Sequence, residues 1–246
     1  MEKKLFIHDN IGFIELLETF GDDLTVVNAA RVSFHKESSE LSQRDIGLIN
    51  YLADHDHVTP FFHPIVRFRI KMPIFIVREW YRHTIGFARN EVSRRYVTDE
   101  PNIFVPDKLR MSDKNVKQGS KEEAVEHNDI YLEEMKLYCK QALAYYNQLL
   151  ENGICPEQAR MILPQSMYTE FIETASLAGY ARLVKLRVDK TAQREIQTYA
   201  RFIDHFLRKQ FPASWAALIK EQDDEYSSRS MDHRDGKKPQ HDQTVL

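Results

Sequence analysis

From Trp80 to Tyr96 the chain reads WYRHTIGFARNEVSRRY, with Arg78 just upstream. Arg78, Arg82, Arg89, Arg94 and Arg95 stand among Trp80, Tyr81, Phe87 and Tyr96, with His83, Asn90, Glu91 and Ser93 between them. A guanidinium fork grips phosphate or carboxylate bidentately, and aromatic or guanidinium planes stack on flat heterocycles. The mixture suits a nucleotide-like anion. The plainer alternative is a solvated basic face, which would spread its arginines along one helical side with acidic partners three or four residues away. These arginines instead run past an expected helix end and alternate with orienting polar groups, so the segment reads as a phosphate and heterocycle site.

Three other constellations could carry chemistry. In ADHDHVTPFFH, residues 53–63, Asp54, His55, Asp56, His57 and His63 crowd together. A metal-dependent nucleotide hydrolase built on His55, His57 and His63 would need them to converge on one ion. Their spacing matches no ligand motif, so no metal is expected, and the commoner outcome is a polar helix end whose histidines meet backbone carbonyls. Cys155 precedes Pro156 at an expected helix start, where the dipole favours a thiolate, yet a lone cysteine is more often a small hydrophobe. Arg187, in KLRVDKTAQREIQ, sits between two helices and can reach into a cleft; alone, it would be read as a surface arginine paired with Asp189.

The chain has 246 residues, 42% hydrophobic and 29% charged, with eight glycines, nine prolines and a net charge of -3. That length buries a substantial core. In a mildly acidic chain the arginines are a local concentration, which disfavours a single-stranded nucleic-acid-binding module, the non-enzymatic competitor. No nucleic-acid partner is expected. No run approaches the roughly eighteen apolar residues of a membrane helix, and no signal-peptide core follows the start, so a cytoplasmic protein without membrane contact is expected. Cys139 and Cys155 have neither the spacing nor the companions of a disulfide framework or zinc site.

The elements that must position these groups follow from periodicity. Ile11, Phe13, Ile14, Leu16 and Leu17 predict a short amphipathic helix, and Ile46, Ile49, Tyr51 and Leu52 another. HPIVRFRIKM, residues 63–72, alternates as a strand with one buried face. Pro73 opens a helix that gives out at Gly86, and a charged loop spans about residues 99–119. Ile130, Met135, Tyr138, Ala142, Tyr145 and Leu149 mark a long helix stopped by Gly153. Pro156 opens a short helix; SMYTEFIETAS is a strand and LAGYARLVKL a helix. Asp189 or Thr191 caps a helix carrying Ile196, Tyr199, Ala200, Ile203, Phe206 and Leu207, and Pro212 starts the last one. This predicts an α+β fold, helices with a small antiparallel sheet, as one domain over residues 1–221 and a polar, disordered tail over 222–246. Without a glycine-rich phosphate loop, a nucleotide cofactor must be held by side chains.

Taken in order, these segments resemble the flavin-dependent thymidylate synthases. The resemblance runs from about residue 26 to residue 218, through NAARVSF (28–34), HVTPFFH (57–63), PIFIVREWYRH (73–83), RNEVSRRY (89–96), ARMILP (159–164) and LRVDKTAQREIQ (186–197). The family signature is Arg-His-Arg, seven residues, then Ser; here Arg82-His83-Thr84 is followed by eight residues and Ser93. Arg94 stands where a Gly is usual, Phe62 for Glu, Glu79 for Gln and Arg182 for Asn, and Arg89 is the candidate for the missing charge. Ser176 and Ala178 fall where the family has flavin-contacting polar residues.

The resemblance implies the thymidylate synthase-complementing protein fold and reductive methylation of dUMP to dTMP. It implies FAD, with NADPH and 5,10-methylenetetrahydrofolate as co-substrates. Arg187 is then the catalytic cation that favours the N3-deprotonated uracil, in place of a cysteine nucleophile. Arg82, Glu91, Ser93, Arg94, Arg95 and Arg160 would hold dUMP with Glu79 nearby, and Thr59, Arg82, His83, Thr84, Glu91 and Arg182 would meet the flavin, with His57 near the stacked folate. A homotetramer with active sites shared between subunits is implied as well.

Overall fold

A computed structural model describes residues 3–113 and 119–220. The frame is a five-stranded sheet in the order β1-β2-β3-β7-β4, formed by β1 (Lys4–Phe6), β2 (Phe13–Phe20), β3 (Ile65–Pro73), β4 (Phe87–Glu91) and β7 (Tyr168–Ser176). All its pairings are antiparallel. A separate hairpin pairs β5 (Arg110–Ser112) with β6 (Ser120–Ala124). The helices are α1 (Asp23–Arg31), α2 (Gln43–Asp54), α3 (Ile74–Trp80), α4 (Asn128–Glu151), α5 (Pro156–Ala159), α6 (Leu177–Arg187), α7 (Arg194–Gln210) and α8 (Pro212–Leu218). The α+β expectation holds.

The central strands form because their sequences alternate. Val66, Phe68 and Ile70 on β3 are fully buried, while Arg67 and Arg69 stay exposed. Phe171, Glu173 and Ala175 face inward on β7, and β3 meets β7 in register from Ile65 opposite Ser176 to Pro73 opposite Tyr168. Helix α7 lays Ile196, Tyr199, Ala200, Ile203, Phe206 and Leu207 against this core, which also takes in Trp80, Tyr180 and Trp215. Strand β7 runs straight into α6, whose N-cap is Ser176: its buried hydroxyl accepts from Gly179 N at 3.2 Å. Strand, turn and helix thus carry Arg187 from the sheet to one end of α6.

Four expectations need correction. The helix expected at residues 11–17 is strand β2. Its register shifts between Leu16 and Glu18, and this bulge breaks the two-residue alternation so that apolar residues mimic helical spacing. The helix from Pro73 ends at Trp80, well before Gly86. Gly86 instead takes a φ of +78° at the turn into β4, a polar edge strand held by β7. The charged loop expected over about residues 99–119 contains strand β5, which pairs with β6 just beyond it. Neither Asp189 nor Thr191 caps α7, because Asp189 Oδ1 closes its own turn, accepting from Thr191 N at 2.7 Å and from its hydroxyl at 2.6 Å.

Helix α4 forms where expected and Gly153 follows it at a φ of +79°. Its apolar stripe, however, does not face this chain's core: Ile130, Tyr131, Tyr138 and Tyr145 are exposed, Tyr138 by 72%. No helix of the described residues is long and apolar enough to cross a membrane. The expected tail, 222–246, lies outside the described residues.

Candidate active site

Arg187 ends α6 and projects toward the end of α3 and the turn that follows it. Its Nη1 bonds the Glu79 carboxylate, its Nε donates to His83 Nε2 at 2.9 Å, and its Nη2 approaches the Glu79 carbonyl oxygen at 3.5 Å. The partner is therefore Glu79 and not Asp189. The two side chains are only 17% and 26% exposed, so neighbouring groups hold the guanidinium on two sides and solvent screens it little.

Because His83 Nε2 accepts, the ring proton belongs on Nδ1. Burial, first, and then the charges of Arg187, Arg89 and Arg182 lower its pKa to about 4. A neutral imidazole orients Arg187, whereas an imidazolium would lose the accepting lone pair and repel it. The folded-state pKa lies below the ordinary value of about 6.5, so the stabilising contribution is complete above that pH. It is lost as pH falls toward about 4, where the unfolded chain takes up a proton that the fold refuses. Urea unfolding midpoints measured at pH 7 and pH 4.5 should fall less in His83→Gln than in the natural protein; equal losses would contradict a neutral His83.

Arg187 and His83 line a cleft of about 240 Å³ with Arg82, Thr84, Gly179 and Arg182. Arg82 and Arg182 are exposed on it, and neither guanidinium has an ion-pair partner among the described residues. Unpaired cations beside a hydroxyl suit an anion such as a diphosphate.

Arg89 does not supply the charge missing after His83. It turns inward, its Nε 2.5 Å from an oxygen of Glu173, which is fully buried and also accepts from Trp80 Nε1 at 3.0 and 3.1 Å. Burial raises the Glu173 pKa against the opposing pull of Arg89 and Trp80. The Arg89 guanidinium also lies over Tyr81 and Phe87, 4.8 and 4.6 Å from their ring centres. Glu91, at the end of β4, accepts from Tyr81 OH at 3.2 Å and Thr169 Oγ1 at 2.7 Å. Glu173 was missed from sequence; a carboxylate at an inward position of β7 was the available signal.

The remaining candidates do not line the Arg187 cleft. Ser93 Oγ accepts from Arg95 N at 3.3 Å, Arg95 pairs with Glu157 at 3.3 Å, and Arg160 Nε approaches the Glu157 carbonyl at 3.4 Å. Arg94 bonds the Asp99 carbonyl. Among the described residues, no hydrogen bond or ion pair joins this group to the Arg187 cleft. His57 lies near Tyr51 and His55, at ring separations of 5.9 and 6.3 Å, and Thr59 opens a short helical turn, Thr59–Phe62, that packs against α6. His55 bonds the Tyr51 carbonyl at 2.8 Å, as a helix-end histidine does. Among the described residues no three His, Cys, Asp or Glu side chains are arranged to hold a metal. Cys155 is exposed and Cys139 lies on α4 against Ser166, so neither thiol lines the cleft.

Comparison with known proteins gives the same picture. The family model for thymidylate synthase complementing protein matches residues 15–213. The flavin-dependent thymidylate synthase of Thermosipho africanus is 37% identical over 214 residues, 85% of this chain and 91% of that protein. The enzyme of the same description from Kosmotoga olearia is 38% identical over 211 residues, 85% of this chain and 90% of its own. Among solved structures, the UMP/dUMP methylase PolB from Streptomyces cacaoi, bound with 5-Br dUMP, superposes with a TM-score of 0.75 at 30% identity. The match covers 83% of this chain and 93% of that one.

Proposed function

The chain belongs to the thymidylate synthase complementing protein family, and from that premise we propose that it methylates dUMP to dTMP as a flavin-dependent thymidylate synthase. The observation that carries this reading is a fixed arginine, Arg187, held by Glu79 and neutral His83 at the edge of a cationic cleft.

C5 of uracil becomes a nucleophile when charge from a deprotonated N3 is delocalised into the ring. A cation held beside N3 and its neighbouring carbonyl stabilises that charge without having to reorganise. Arg187 has this role. Neither cysteine of the chain lines the cleft, so activation by a thiol at C6 has no candidate there. Ser93, with no base beside it, positions substrate by hydrogen bonding and does not attack. Arg95 and Arg160 complement the nucleotide's phosphate charge, with Arg82, Glu91, Ser93 and Arg94 fixing its orientation.

The residues lining the Arg187 cleft fit a flavin dinucleotide: Arg82 and Arg182 offer unpaired charge for its diphosphate, and His83 and Thr84 offer polar contacts, with Glu91, outside the cleft lining, joining them from the end of β4. His57 and Thr59 complete that set near the folate. Ser176 contributes less than the resemblance implies, since its hydroxyl is engaged in capping α6. When bound, FAD supplies the hydride, NADPH renews it, and 5,10-methylenetetrahydrofolate supplies the carbon.

Residues 1–221 act as one domain in a cytoplasmic homotetramer whose active sites draw on several subunits. Two features of the single chain support the assembly: among the described residues no hydrogen bond or ion pair links the Arg95/Arg160 group to the Arg187 cleft, and the apolar stripe of α4 is exposed. The rival readings fare worse. The histidine cluster forms no metal-binding group among the described residues, and the arginine segment is divided between the buried Arg89 and the ion-paired Arg94 and Arg95, so it presents no continuous basic face to a nucleic-acid strand.

Absorbance of the purified protein tests the reading. Visible oxidised-flavin bands are expected, as isolated or after reconstitution with FAD; their absence after reconstitution would overturn it.

A further inference from the structure

Glu79 stands where the family resemblance has a glutamine, so the negative charge beside Arg187 is a feature of this chain. It is also well placed. The carboxylate takes Nη1 of Arg187 while the carbonyl oxygen of the same residue lies 3.5 Å from Nη2. With Nε directed at His83, the guanidinium has a partner on each of its nitrogens before any ligand arrives.

We infer that Glu79 is an internal competitor for Arg187, so that binding an N3-deprotonated uracil ring is an exchange of one anion for another on a single guanidinium. The inference rests on the dUMP reading above and adds a specificity determinant to it. Two anions cannot share one cation in a weakly screened site without repulsion, so the carboxylate either moves away or weakens the incoming ring's hold. It has somewhere to go. Glu79 also lines an adjoining cleft of about 490 Å³ that contains Lys190, Arg110 and Arg194. Arg110 and Arg194 already pair with Glu195 and Glu122, which leaves Lys190, beside Asp189 and on a wall that also carries Asp113, as the lysine that a turned Glu79 would face. Glu79 therefore sits at the border of two clefts, holding Arg187 in one and able to turn into the other.

The exchange sets a preference. A ring that cannot become anionic gains nothing from displacing Glu79, whereas a ring that sheds its N3 proton readily competes best. Removing the carboxylate's charge should help anionic rings alone.

The test is nucleotide binding to the FAD-loaded protein by calorimetry, comparing the natural chain with Glu79→Gln and Glu79→Asp. Three ligands serve: dUMP, 5-bromo-dUMP, whose halogen makes N3 more acidic, and dCMP, whose N3 carries no proton to lose. Glu79→Gln should bind dUMP about tenfold more tightly and 5-bromo-dUMP by a larger factor, with dCMP changed by less than about twofold. Glu79→Asp retains the charge and should stay close to the natural chain. Unchanged or weaker dUMP binding in Glu79→Gln, or an equal gain for all three ligands, would overturn the exchange while leaving the dUMP assignment intact. If neither protein binds dUMP, the assignment itself fails, and the exchange with it. If Glu79→Gln does not fold, Glu79→Ala should show the same selective gain, and its absence there is equally decisive.

Discussion

Arg187→Ala is expected to lower dUMP methylation by on the order of a hundredfold to a thousandfold, the loss that follows removal of one preorganised group facing developing charge. Visible flavin absorbance should persist, since Arg82, Thr84 and Arg182 remain on the cleft. The size of the effect comes from immobilisation. Arg187 Nε is bonded to His83, so the guanidinium stays in place when Glu79 yields to the ring and need not be recruited during the reaction. Arg187→Lys keeps the charge but loses the fork and the bond to His83, and should recover only part of the rate. Turnover retained in Arg187→Ala would remove the proposed activating cation.

The largest stability effect is expected at Arg89. Replacing it by Met leaves Glu173 fully buried without its counter-charge, which should cost about 3–5 kcal/mol and roughly 10 °C of melting temperature for a domain of this size. Adding Glu173→Gln should restore most of the loss. The amide carries no charge, and its oxygen can still accept from Trp80 Nε1. Thermal melts of both single variants and the double variant close a mutant cycle. Additive losses would mean that Arg89 and Glu173 are not coupled, and would return Arg89 to the candidates for the substrate site.

How much of this was legible in the sequence depended on whether the signal was local. Strand β3 announced itself by alternation, β7 by its aromatic and β-branched residues, and α7 by a clean stripe that ends up buried. Strand β2 did not, because the bulge at Leu16/Glu18 imposes a false helical rhythm. Strand β4, FARNE, has almost no apolar alternation; it exists because the edge of β7 offers it hydrogen bonds, which no local window reveals. The stripe on α4 was read correctly as a helix face, but periodicity alone cannot tell a face buried in its own chain from one left exposed on it.

The candidate residues could be named from sequence, but their partners could not. Arg187 meets Glu79 across 108 positions and Arg89 meets Glu173 across 84, so the two ion pairs that decide the roles of these arginines depend on the finished fold. Arg89 shows the cost: beside Arg82, Arg94 and Arg95 in sequence it looks like a ligand-binding cation, yet its side chain is only 12% exposed and it neutralises a core carboxylate.

The most direct measurement is a crystal structure of the protein with FAD and dUMP bound. The account predicts the uracil ring in the Arg187 cleft, with N3 and its adjacent carbonyl within about 3 Å of the guanidinium and the Glu79 carboxylate turned away. A base bound elsewhere, with Arg187 still on Glu79, would contradict it.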